Sequence, residues 1–387
     1  MKRLVKLSLA TSVALASFSC ANAQDLEQAI KNVDVSGTVA YRYNDYEETY
    51  NSDDSKFESA SSNNYKIALN VKSQVNDDVT ANTRFIIGLD GNKPASLSTH
   101  NDGDQQVNVT LSEVNFTYTG IANTSITLGK QGLATPYTIH RDSMDNEQTG
   151  TGILAVTNVG PVTLAGAYFN QTNLQDSNET TLDLKGDENI VFIGAMANFA
   201  GVNIDASYID LDDVFDAYTI GLSAKYNVGD VKLAPYARYS SLDLDNNSID
   251  NKLWKIGMRA NMGIFGAHLG YGQTDDEGGT VGLDVSSATG YDEHWGVALS
   301  GKADSSIVYA SVDAQVMPKL NVALKYSNLD DDKAAAQDEE EIYTQVTYNM
   351  SKNLSTYVRF GQYEKENVEG NKDIDSTRGR LQVQYSF

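Results

Sequence analysis

The sequence is poor in cysteine, proline and histidine, with one, five and four among 387 residues. The single cysteine, Cys20, excludes a disulfide framework and any Cys-based metal cluster. His100, His140, His268 and His294 are scattered and show no metal-ligand spacing. No apolar run reaches the ~18 residues a membrane-spanning helix needs. Mean hydropathy is −0.38, which excludes an α-helical membrane protein. A transmembrane β-barrel stays open, because only every second residue of its strands must be apolar. Basic residues are outnumbered, 29 against 52 acidic, so nucleic acid is a poor partner. There is no P-loop, G-x-S-x-G or H-E-x-x-H motif. So many acids offer so many carboxylate pairs that no single pair points to glycosidase chemistry. Nothing in the residues argues for an enzyme.

What is present begins with an export leader. Lys2, Arg3 and Lys6 form a basic stretch, Leu7 to Phe18 an apolar one, and Ala21-Asn22-Ala23 a cleavage site. Residues 1–23 are therefore expected to be removed. Cys20 leaves lipid attachment as an alternative, although Ser17-Phe18-Ser19 lacks the Leu-type residue usual before such a site. Leu26, Ala29, Ile30 and Val33 recur at helical spacing, so residues 24–32 are expected to form a short amphipathic periplasmic helix.

From residue 33 to 387 one pattern repeats. Val33 to Tyr43 places Val35, Val39, Tyr41 and Tyr43 on one face and Asp34, Ser36, Thr38 and Arg42 on the other. Tyr65 to Val75 alternates Ile67, Leu69 and Val71 with Lys66, Asn70 and Lys72. Leu381, Val383, Tyr385 and Phe387 alternate with Arg380, Gln382 and Gln384. Connections alternate as well. Short ones such as Asn76 to Asp78 and Met317-Pro318 follow long polar ones such as Asn44 to Asn64, Gly132 to Thr149 and Asp275 to Glu293. Short turns at one end and long loops at the other describe an outer-membrane barrel with long extracellular loops. Eleven residues at ~3.3 Å each, tilted ~45°, span ~25 Å, the height of the apolar band. The opposite face is rich in Asn, Gln, Ser, Thr, Lys and Arg, which predicts a water-filled interior.

The fold class is thus all-β, a transmembrane antiparallel β-barrel. Nineteen segments qualify as strands, whereas single-chain bacterial barrels have an even number. Parity fails between Asp275 and Val316. There His294 to Lys302 and Ser306 to Val316 are either one bulged strand, or the first belongs to a folded loop. Either repair gives 18.

The chain end and the mature start carry a resemblance. An alternating strand ending on the aromatic Phe387 resembles the insertion signal of outer-membrane barrels. Leu26 to Gly37 followed by Tyr41-Arg42-Tyr43 resembles the opening of the Campylobacter-type major outer membrane protein porins, as does the leader segment Leu4 to Leu9. Phe116-Thr117-Tyr118-Thr119, Leu128-Gly129-Lys130-Gln131 and Gly150-Thr151-Gly152 are similar to that family's strands around its third loop. The similarity covers residues 1–43 and 112–170 and is architectural elsewhere. It implies an 18-stranded homotrimeric porin of modest selectivity with the third loop folded inward.

The candidate site is the pore constriction. Gly132 to Thr149 follows the fifth strand and carries His140, Arg141, Asp142, Asp145 and Glu147. Alternation points Arg42, Arg84, Arg238, Arg259 and Arg359 inward, opposite that loop. Acids facing bases set which ions pass. The competing arrangement has the loop outside and the arginines paired with lumen acids. Asp142, Asp145 and Glu147 are also candidates for a Ca²⁺ ion, though no EF-hand spacing is present and no cofactor is required. Acid clusters at Asp210 to Asp216 and Asp330 to Glu341 read as solvated loops or as cation-collecting surfaces. The leading expectation is a general diffusion porin of a Gram-negative outer membrane, with modest cation preference. It would sit in outer-membrane lipid and pass ions and small hydrophilic solutes. The alternative is a barrel whose acidic loops act as a surface adhesin.

Overall fold

The computed structural model describes residues 33–50, 55–90, 93–97, 108–180, 182–333, 337–366 and 372–387. The leader (1–23) and the expected helix (24–32) lie outside them. Eighteen strands form one closed antiparallel barrel. In order these are β1 (Val33–Tyr50), β2 (Ser55–Gln74), β3 (Val79–Ile87), β4 (Val109–Ile121), β5 (Thr124–Gly132) and β6 (Thr149–Val159). Then come β7 (Val162–Thr172), β8 (Ile190–Phe199), β9 (Val202–Leu211), β10 (Phe215–Ala224, continued by Tyr226–Val228), β11 (Val231–Leu244) and β12 (Asp250–Met262). The last six are β13 (Phe265–Thr274), β14 (Ser305–Met317), β15 (Leu320–Asp331), β16 (Glu339–Asn349), β17 (Leu354–Glu366) and β18 (Lys372–Ser386). Each pairs with its neighbours in sequence. β1 closes the ring on β18 from Thr38↔Ser386 to Tyr50↔Ile374. Closure leaves no unpaired edge, which in hydrocarbon would cost several kcal/mol per open backbone group.

The period of two sorts the faces as the sequence predicts. Phe360, Leu269 and Val109 are more than 60% exposed on the outer surface. Asn82, Asn115, Thr117 and Thr127 hydrogen-bond to one another on the inner one. The inner face is not polar throughout, however. In β9, Val202 and Ile204 point out while Asn203, Asp205 and Ser207 point in. Further up the same strand Ile209 and Leu211 are buried inside, and Asp210 takes the outer face. The amphipathic phase inverts where the strand rises above the apolar belt, because water then lies outside. The inward apolar side chains there, Phe169, Ile190, Phe192, Ile209, Leu211, Phe215 and Leu242, need cover. The third loop (133–148), fourth loop (173–189) and seventh loop (275–304) supply it through Leu133, Tyr137, Leu174, Leu184 and Leu283.

Two further sequence expectations change. The segment Asn44 to Asn64 is mostly strand, with Asn44↔Ser62 and Asp45↔Ser61 in register. A ladder uses backbone groups, so polar side chains mark height above the membrane rather than the end of a strand. His294 to Lys302 holds no strand and belongs to the seventh loop, which settles the count at 18.

Candidate functional site: loops gathered inside the barrel

The third loop crosses the barrel interior. At one end the Tyr137 hydroxyl donates to the Ser207 carbonyl on β9 (2.9 Å). At the other, Lys66 on β2 donates to the carbonyls of Asp142 (2.8 Å) and Asp145 (2.7 Å) and reaches Glu147 Oε1 (3.3 Å). Arg84 on β3 grips Glu147 with a fork, Nε to Oε2 at 2.7 Å and Nη2 to Oε1 at 2.5 Å. Arg141 joins the same group through Glu113, with Glu147 Oε2 3.6 Å away. Lys66, Arg84 and Glu147 are 1%, 6% and 1% exposed. Burial pushes the Glu147 carboxyl up, but the Arg84 hydrogen bonds and the Lys66 charge outweigh it and hold it below the usual range. Glu147 therefore anchors the loop and does not face the pore.

The seventh loop also folds inward. Tyr291 stacks edge-on against Tyr309 of β14 at 4.9 Å and bonds the Tyr236 hydroxyl at 3.0 Å. His294 Nδ1 meets Ser327 Oγ at 2.8 Å, and the Trp295 amide donates to Glu341 Oε1 at 3.1 Å. The Trp295 ring packs edge-on against Tyr343 and Tyr46, on opposite sides of the barrel seam. Backbone bonds then tie this loop to the third. Leu283 N–H donates to Tyr137 O (2.9 Å) and Thr289 N–H to Pro136 O (2.9 Å), while Gln148 Nε2 donates to Leu283 O (2.8 Å). Glu179 of the fourth loop donates its N–H to the same Leu283 carbonyl (3.1 Å).

This weave gathers acids. Asp142 and Asp145 of the third loop, Glu179 of the fourth, and Asp284 and Asp292 of the seventh feel one another's charge. Burial, reinforced by Asp284, Asp145 and Asp142, pushes Glu179 up to about 7. Burial, opposed by the Ser286 amide and reinforced by Asp142, Asp292 and Asp145, pushes Asp284 up to about 6. Asp145 is likewise raised by burial and by Asp142. Arg42 and Arg380 on the wall act on Asp145, and Arg359 acts on Asp292. Arg42 Nε donates to Gln382 (2.8 Å) and lies 4.0 Å from Asp145; Arg359 donates to Gln345 (2.6 Å) and lies over Tyr357. Arg380 donates to Asn44 (2.7 Å) and the Tyr46 hydroxyl (3.0 Å).

The ten residues expected at the constriction thus divide. Asp142 and Asp145 stand on the third loop, Arg42 comes within 4.0 Å of Asp145, and the Arg359 charge acts on Asp292 of the seventh loop. Glu147, Arg84 and Arg141 form the buried anchor. His140 sits beside them, next to Gly132, its imidazole held below its usual range by burial and Arg141. Arg238 is bound to Asp205 (2.7 Å) and Thr219 (3.0 Å), and Arg259 to Glu293. The loop is inside, but the pairing of arginines with lumen acids also occurs. Sequence reasoning missed Lys66, Arg380, Glu179 and the acids of the seventh loop. The inverted phase at Ile209-Asp210-Leu211 was the available signal, since inward apolar residues require something inside to pack on. The three metal candidates do not converge. Glu147 is spent on Arg84 and Lys66, and Asp142 Oδ1 accepts the Met144 (2.7 Å) and Asp145 (2.6 Å) amides. Among the described residues no group of three His, Cys, Asp or Glu side chains is arranged to hold a metal ion.

An 18-stranded barrel with an apolar belt and loops folded into a charged lumen is an outer-membrane porin. The Campylobacter major outer membrane protein family matches residues 1–340, and the chain belongs to it. No curated protein matches the sequence significantly. Among solved structures the chain is similar to a BenF-like porin from Pseudomonas fluorescens Pf-5, with TM-score 0.73 and 17% identity over 92% of this chain and 98% of that one. It is similar to Pseudomonas aeruginosa OpdL, with TM-score 0.72 and 16% identity over 92% and 99%. Acinetobacter baumannii OccAB3 gives 0.71 and 14% over 92% and 99%. These likenesses describe the fold. The protein resides in the bacterial outer membrane, and its short turns are periplasmic and its long loops extracellular.

Proposed function

We propose that this porin is a general diffusion channel for ions and small hydrophilic solutes, with a modest preference for cations. It acts without a cofactor and without chemistry of its own, as a homotrimer surrounded by outer-membrane lipid. The observation that carries the reading is the acidic group gathered from three loops, Asp142, Asp145, Glu179, Asp284 and Asp292, with Arg42, Arg359 and Arg380 within reach of its charge. Negative potential at a constriction concentrates cations and repels anions, and the nearby guanidiniums limit the effect. The third, fourth and seventh loops pack inside the barrel, which leaves the adhesin alternative the outer acids Asp210, Asp216 and Asp243.

Reversal potential in a salt gradient tests this. Neutralising Asp142→Asn, Asp145→Asn and Glu179→Gln together is expected to move it toward anion preference. An unchanged value would leave the general charge of the mouth as the source of selectivity. The pH dependence has a definite sign. Glu179 near 7 and Asp284 near 6 are charged above those values and protonated below them. Cation preference should therefore fall as pH drops from 8 to 5, with the steepest change near neutrality. The triple variant should lose the upper part of that transition.

A further inference from the structure

Beneath the seventh loop, on the β12–β16 wall, lies a second polar cavity of ≈350 Å³, which adjoins Arg359 through Gln345. Cross-strand register builds it. Arg259↔His268, His268↔Ser311 and Ser311↔Lys325 place one row of inward side chains across β12 to β15. One pleat repeat nearer the periplasm, about 7 Å along the strands, the next row holds Asp313 opposite Ala323. Glu293 and His294 of the seventh loop roof the space.

The charges of this cavity cancel in sum but not in place. Arg259 is matched by Glu293. Lys325 closes no ion pair among the described residues, although Glu293 and Glu341 act on its charge from a distance; its ammonium lies 5.8 Å from the Tyr343 ring centroid. Among the described residues Asp313 has no basic partner. Asn321 Nδ2 donates to its Oδ2 at 2.7 Å and orients it, while among the described residues nothing donates to Oδ1. That oxygen lies over Gly266, where a Cβ would come within 2.2 Å of it. Lys325 and Asp313 are diagonal neighbours on adjacent strands, with Cα atoms about 7–8 Å apart. A Lys–Asp pair at that spacing commonly closes into an ion pair, yet none joins them. A cation and an anion that line one cavity without pairing match a ligand carrying both charges.

We infer that this cavity is a binding station for a small zwitterion, an α-amino acid with a short neutral side chain, its carboxylate on Lys325 and its ammonium on Asp313. The inference rests on the porin reading and deepens it. The station does not close the pore. It lowers the energy of one solute class partway along the path, which speeds passage at low concentration and saturates at high concentration.

Liposome swelling with L-alanine, measured against arabinose as a neutral reference, tests it. The wild-type protein should pass alanine faster relative to arabinose than size alone allows. Lys325→Gln and Asp313→Asn should each lower the alanine-to-arabinose ratio several-fold while arabinose swelling stays unchanged. The exchange Lys325→Asp with Asp313→Lys should restore much of the ratio. A ratio unmoved by both single variants, or moved by only one of them, overturns the inference, since a zwitterion needs both charges. Exclusion of arabinose by the wild-type channel overturns the porin reading and the inference with it. Unchanged arabinose swelling in the variants shows that each has folded and inserted.

Discussion

Glu147→Ala is expected to raise single-channel conductance and open-channel noise while leaving the barrel folded. The substitution removes the one carboxylate shared by Lys66 and Arg84, both buried against the third loop. Removing one partner of a buried ion pair costs about 3–5 kcal/mol, mostly because the remaining charge is left uncompensated. Here two cations are stranded, and the cheapest relief is for the loop to lift and admit water. The strand ladders do not depend on Glu147, so heat-modifiable mobility on gels should persist. Glu147→Gln keeps the shape and part of the hydrogen bonding, and should give a smaller rise. Planar-bilayer recording checks the order wild type, Gln, Ala. Equal conductance in all three would mean that Tyr137 and the seventh loop hold the third loop without help from the anchor.

Excision of residues 280–300 is expected to have the larger effect on pore size. The neck of the seventh loop is already closed, since Gly301 N–H donates to Gly279 O at 3.0 Å. Joining the two glycines by a short turn therefore asks little of the flanking strands β13 and β14. The deletion takes away Tyr291, Val297 and Leu299, which pack against Leu253, Ile307, Tyr309 and Leu329, and Trp295, which packs on Tyr46 and Tyr343. Conductance should rise well above that of Glu147→Ala, and uptake of a trisaccharide relative to a pentose should increase. The deletion also removes the Leu283 to Tyr137 and Thr289 to Pro136 backbone bonds that steady the third loop. The two changes share a structural element, so their effects on noise should be non-additive. Additivity would show that the loops are held independently.

The acidic cluster at Asp210 to Asp216 illustrates what pattern alone conveys. Asp210 and Asp216 sit directly opposite each other on β9 and β10, and Asp216 is opposite Asp243 on β11, all on the outer face above the belt. Read as a loop in the sequence, this stretch is mostly ladder, with a three-residue turn between Leu211 and Phe215. Charge density reported exposure to water correctly. It said nothing of backbone pairing, because an Asp side chain pointing out leaves its own N–H and C=O free to bond sideways.

The alternation of residues and the spacing of turns determined the barrel, its membrane orientation and the inward set of Arg42, Arg84, Arg238, Arg259 and Arg359. These are local properties: a period of two fixes which side chains share a face, and lipid on one side fixes which face is apolar. The resemblance around Leu128 to Gln131 and Gly150 to Gly152 also located the third loop. Only the tertiary structure decided which inward charges are spent and which are free. Arg84 and Arg259 look alike along their strands. One is buried against Glu147, 63 residues away in sequence, and the other meets Glu293, 34 residues away. Whether an inward arginine faces water or a partner depends on which loop returns to cover it. A loop's return is set by packing on surfaces distant in sequence, such as Tyr137 on β9 or Trp295 on Tyr46 and Tyr343. No periodicity within one strand can encode that contact, because the energy belongs to the pair.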